Sequence, residues 1–132
     1  MEHPNHQLIR DFFAAIVRGD VPDEMLTSDM TAWMTTGGTR DKVTFQQGIR
    51  LLRRMCTQLD FTVTSLTAED DLVAAEVEGN STLINGEPYN MAYVFVFRIR
   101  DGRIASMAEH YNALIVQEKL IPLMQSMNDK IS

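Results

Sequence analysis

Glu109 and His110 are neighbours that can each move a proton, one through a carboxylate and the other through an imidazole. They stand in the run Glu109-His110-Tyr111-Asn112, four polar or amphipathic residues between a strand-like stretch and a helical one. Adjacent residues of a regular strand point to opposite faces, so the pair cannot serve one site, and His110 is assigned to the face away from it. Glu76 and Glu78 are two apart and share a strand face. Glu78 is the candidate to oppose Glu109 as a carboxylate pair. Read without function, both are solvated residues opposite the apolar Val73, Ala75 and Val77. Glu109 has a similar alternative, an exposed carboxylate at a strand end.

Other chemistries find little support. His3 and His6 stand in no HxxxH or HExxH pattern, and Cys56 is the only cysteine, so neither a metal site nor an intrachain disulfide is expected. No cofactor is expected. A net charge of −6 argues against a nucleic-acid face, the only basic cluster being Arg50, Arg53 and Arg54. The start MEHPNHQLIRDFF lacks a basic segment followed by an apolar one, and no run reaches the length of a membrane span. The expectation is a cytoplasmic protein with one domain over residues 1–132.

These residues are positioned by the stretch 89–112, YNMAYVFVFRIRDGRIASMAEHYN. Two extended runs flank Asp101-Gly102, a pair suited to a turn whose central residues both take positive φ. Tyr89, Met91, Tyr93, Phe95, Phe97 and Ile99 point one way. The other face is also apolar in its middle, at Ala92, Val94 and Val96.

Upstream, the spacing predicts a helix over 8–17, capped by Asn5 and ended by Gly19, then a short helix from Pro22 through Leu26. Asp29 to Thr36 alternates Met30, Ala32 and Met34 against Thr31, Trp33 and Thr35, a short strand, with a loop through Gly37-Gly38. Thr44-Phe45-Gln46-Gln47 has the form of a capping box opening a helix. From Asp60, four strands joined by short turns predict an antiparallel meander, with Gly79 as a bulge or bend. Asn112 caps a last helix from about Ala113, interrupted or ended near Pro122. The order gives an α+β domain with helices over one sheet face.

FFAAIVRGD, TAWMTTGG and above all NGEPYNMAYVFVFRIRDGRIASMAEHYN resemble the NTF2-like superfamily, and within it the SnoaL-like, ketosteroid-isomerase-related group. The resemblance implies a cone-shaped barrel, a curved antiparallel sheet wrapped around helices with a deep apolar pocket. It also implies a homodimer through the convex sheet face, which would account for Ala92, Val94 and Val96 and places His110 on the dimer side. Function does not follow from this fold, which hosts isomerases, cyclases, epoxide hydrolases, dehydratases and binding modules.

Glu109 falls where resembled polyketide cyclases and epoxide hydrolases carry a carboxylate, which implies a general base. Epoxide hydrolases also set an Arg between two acids, where this strand has Val77, and steroid isomerases use a Tyr that the first helix lacks. Both departures argue against those activities. Trp33, Tyr89, Tyr93, Phe95 and Tyr111 are the aromatic candidates for the pocket lining, all but Tyr89 expected as ligand contacts, with Tyr93 or Trp33 donating to an oxyanion, and Met30, Met34, Met91 and Met107 would make an adaptable apolar lining. Asn112 could donate to a ligand oxygen as well as cap a helix. Two readings result: a small cofactor-independent enzyme moving a proton on a hydrophobic or polycyclic molecule, of isomerase, cyclase or dehydratase type, or a non-catalytic module that binds a small ligand or dimerises. The orientations of Glu76, Glu78 and Glu109 discriminate them.

Overall fold

The computed structural model describes the backbone of residues 3–131 and the side chains of residues 3–128. Helix α1 (Pro4–Arg18) buries Ile9, Phe12, Phe13 and Ile16 along one stripe. It starts before residue 8 because Pro4 suits the first turn, where its missing N–H is not needed. His3, not Asn5, provides the cap: its Nδ1 accepts the Asn5 N–H at 3.1 Å. Gly19 ends the helix in the left-handed region, as its spacing predicts.

A single 3-10 turn, Asp23–Met25, leads into β1 (Leu26–Met34), so Leu26 begins the strand rather than closing a helix. Gly37 and Gly38 both take positive φ and turn the chain straight back. The expected loop is therefore a strand, β2 (Gly38–Asp41), antiparallel to β1 with Ala32 opposite Arg40. Helix α2 (Lys42–Met55) is capped by Asp41, whose carboxylate accepts the Thr44 N–H at 2.9 Å. Thr44 is thus a first-turn residue, not the cap.

A short β3 (Cys56–Gln58) precedes the four predicted strands, β4 (Phe61–Glu69), β5 (Leu72–Leu83), β6 (Pro88–Arg100) and β7 (Arg103–His110). Asp101 and Gly102 both have positive φ, as the hairpin requires. The sheet has seven strands in the order β2-β1-β7-β6-β5-β3, with β4 sharing the free side of β5 with β3. It is curved and unclosed. All neighbours are antiparallel except β1 and β7, which run parallel.

Gly79 does not mark a bulge. It pairs regularly with Met91, and its bare Cα makes room for the Tyr93 ring, since a Cβ there would lie 3.1 Å from Cε2. The bulges fall elsewhere. Val63 and Ser65 face the consecutive Val77 and Glu76, leaving Thr64 extra, and Ile99 and Arg98 face Ile104 and Ser106, leaving Ala105 extra. Each extra residue exchanges the faces of everything beyond it.

The core lies between the inner sheet face and the helices: Phe12 packs edge-on against Phe97 at 5.4 Å and Phe13 against Phe95 at 5.0 Å. After β7, Asn112 caps α3 (Ala113–Ile115), a π-helical turn Val116–Leu120 follows, and α4 (Ile121–Ile131) completes the helix. Pro122 does not end this helix. Its ring would crowd the carbonyl four residues back and it offers no N–H, and the wider turn before it absorbs the misfit.

Candidate active site

The curved inner face and the helices enclose a cavity of about 280 Å³. Met34, Met91 and Met107 line it from the sheet, and Leu52, Met55, Leu120 and Met124 from the helices. Met30, expected with the other methionines, is buried in the core instead.

Glu109 enters this cavity because of Ala105. On β6, Phe95, Phe97 and Ile99 point inward, and opposite them stand Glu109, Met107 and Ile104. Ile104 and Glu109 differ by an odd number of residues, so a regular strand would put them on opposite faces; the bulge puts both inside. The residue keeps partial solvent access, yet its carboxyl group lies against apolar walls. Burial raises its pKa from 4.5 to about 8, opposed by the attraction of the Arg40 guanidinium.

Tyr89 and Tyr93 also face the cavity, and their hydroxyl groups act on each other. Burial above all, with the nearby Glu109 charge among the smaller causes, holds both phenols well above their ordinary range. Both therefore stay protonated and able to donate. Tyr111 is fixed at the mouth: its hydroxyl meets the Thr36 hydroxyl and accepts the Thr36 N–H at 3.2 Å, while its own N–H donates to Thr35 Oγ1 at 3.1 Å. Thr35 N–H in turn donates to the Glu109 carbonyl at 3.1 Å. The ends of β1 and β7 are thus laced together around the acid.

Arg40, on β2, is the only basic residue among the described cavity-lining residues. Its guanidinium lies over Gly37, where a Cβ would come within 2.6 Å of Nη2, at a φ of +96°. Gly37→Ala is expected to cost about 1–2 kcal/mol from the left-handed backbone alone and to displace the guanidinium. Urea denaturation reads the first effect; the second is expected to raise the Glu109 pKa, because a nearby cation is lost, and an unchanged or lowered value would contradict it.

The expected site residues divide. Glu109, Tyr93, Tyr111 and Phe95 line the cavity. Glu78 does not: it is exposed on the outer face with Glu76, which takes a hydrogen bond from Ser65 at 2.8 Å, so no carboxylate pair forms. Trp33 lies on the outer face too, 37% exposed and with its ring 4.8 Å from that of His110, because Met30, Ala32 and Met34 take the inward positions of β1. Asn112 is exposed and outside the lining; its carbonyl oxygen accepts the Leu114 N–H at 3.0 Å as a cap. Sequence reasoning missed Arg40, in a stretch read as loop; Tyr89, an aromatic lining candidate with the parity of Tyr93, does line the cavity.

Among the described residues no helix is long and apolar enough to cross a membrane, and no group of three or more His, Cys, Asp or Glu is placed to hold a metal ion.

Comparison with known proteins matches the SnoaL-like domain family over residues 9–107. No curated protein matches. Solved structures that share the fold include wild-type IdmH, titled a "putative polyketide cyclase", from Streptomyces antibioticus, 20% identical over 90% of this chain and 99% of that one, with a TM-score of 0.76. A "Putative Isomerase" from Bacillus subtilis is 22% identical over 89% and 92% of the two chains, at 0.76. TsrD from Streptomyces laurentii is 20% identical over 92% and 98%, at 0.77.

Proposed function

Since the chain belongs to the SnoaL-like domain family of the NTF2-like superfamily, and its apolar cavity holds a single acid among the described lining residues, we propose that it binds a small hydrophobic or polycyclic carbonyl compound and moves a proton on it with Glu109 as base. The observation that carries this reading is the inward, desolvated Glu109 carboxyl. A base needs a pKa near working pH to be both ionised and strong, and a value of about 8 meets that requirement. Glu109 takes a proton from the carbon beside the carbonyl; the electron pair moves onto the carbonyl oxygen, where the Tyr93 hydroxyl donates to the resulting enolate. Where a carbon–carbon double bond adjoins that carbon, return of the proton to the far end of the double bond shifts it and completes an isomerisation; attack of the enolate carbon on a second carbonyl, with the proton held by Glu109 passing to the alkoxide so formed, completes a cyclisation. Neither course calls on a cofactor.

The test is deuterium exchange into cyclic ketones in D2O, followed by NMR. Exchange is expected to rise about tenfold per pH unit and level off above about pH 8. Glu109→Gln is expected to lower it by about 10²–10⁴-fold. Binding without exchange would assign the cavity to a non-catalytic module.

The outer sheet face supports a second part of the proposal, a homodimer. Val94 is 44% exposed there, and Ala92, Val96 and Trp33 extend the apolar patch. A cytoplasmic setting agrees with the free, buried Cys56.

A further inference from the structure

Arg40 is held with its donors unspent. A guanidinium carries five N–H groups, and the hydrogen bond it makes goes from Nη1 to the Met34 sulfur at 2.8 Å, a weak acceptor. Among the described residues it forms no ion pair; Glu109, the one acid in the cavity, acts on it only through space. Yet the fold builds a place for it. β2 pairing sets the Cα opposite Ala32, and Gly37 gives up its side chain so that the guanidinium can lie on the turn. A half-buried cation without a counter-charge is costly to keep unless something else supplies the acceptors.

We propose that the ligand of this cavity is an apolar molecule bearing a carboxylate, and that Arg40 takes that carboxylate through a two-pronged hydrogen-bonded pair. The proposal rests on the reading that the cavity binds a small molecule, and it narrows the class. The planar fork of Arg matches the two oxygens of a carboxylate, which a neutral carbonyl or hydroxyl cannot offer. The remaining walls, methionine and aromatic, suit the ligand's carbon skeleton.

The experiment uses two probes of the same shape and different charge, cinnamate and its neutral amide, titrated calorimetrically into the full chain and into Arg40→Met and Arg40→Lys. Cinnamate is expected to bind at least about tenfold more tightly than cinnamamide. Arg40→Met should abolish that preference, and Arg40→Lys should retain part of it. Equal binding of the two probes, or a preference that survives in Arg40→Met, overturns the carboxylate assignment and leaves the cavity as a binding site. Binding of neither probe at millimolar concentration overturns the small-molecule reading itself, and this assignment with it.

Discussion

Glu109→Gln is expected to stabilise the protein at alkaline pH and to leave it nearly unchanged near pH 4.5. In the folded state the carboxyl keeps its proton up to about pH 8, whereas in the unfolded chain it loses it near 4.5. Between these values the folded state binds more protons, so stability falls as pH rises, and above about 8 the penalty is constant. The shift corresponds to a loss on the order of 3–5 kcal/mol across that window, a large part of a domain's total stability. Gln has the same shape and no charge to bury. Groups that titrate elsewhere act on both proteins alike, so the difference between their urea midpoints from pH 4.5 to 9 isolates Glu109. A difference that does not widen with pH would place the carboxyl in water and remove the basis for the general-base reading.

Insertion of one alanine between Ser106 and Met107 is expected to be the most damaging single change near the site. The bulge at Ala105 already brings Ser106 opposite Arg98, so the added residue would take the inward place opposite Phe97, and beyond it Ala108 and His110 would face inward and Met107 and Glu109 outward. The fold would lose the buried Met107 and the lacing of Tyr111 to Thr35 and Thr36, and would bury an imidazole among aromatic rings. The sum is on the order of 5 kcal/mol, enough to unfold a marginal domain. Thermal melting and the Glu109→Gln comparison repeated in the insertion background report it. An insertion variant with unchanged melting temperature and an alkaline-sensitive Glu109 would show that strand parity does not set which residues enter the cavity.

The hairpin, its Asp-Gly turn, α1 with its Gly19 stop and the meander were legible because each is written in a local pattern of apolar spacing and turn chemistry. Orientation near Glu109 was not, because it depends on a bulge that leaves no mark on composition: Ala105 is an ordinary strand residue until the opposite strand is known. Trp33 is a different case. Its alternation with Met30, Ala32 and Met34 already placed it outside, and its polar ring was given more weight than its parity. Glu78 likewise followed the alternation that made it a solvated residue. Arg40 was hidden because β2, four residues long, carries too short a pattern to be told from a loop, and its role comes from what Gly37 lacks.

The parallel pairing of β1 with β7 governs the order in which the chain can finish folding. Thr36 and Tyr111 are 75 positions apart, so their contact closes a loop containing most of the protein. Such closure is entropically costly and is repaid only when both strands are present. During synthesis, β1 leaves the ribosome long before its partner exists, while the meander can zip hairpin by hairpin as it emerges. The seam around Glu109 is therefore joined last, and a nascent chain possesses most of its sheet before it possesses a cavity.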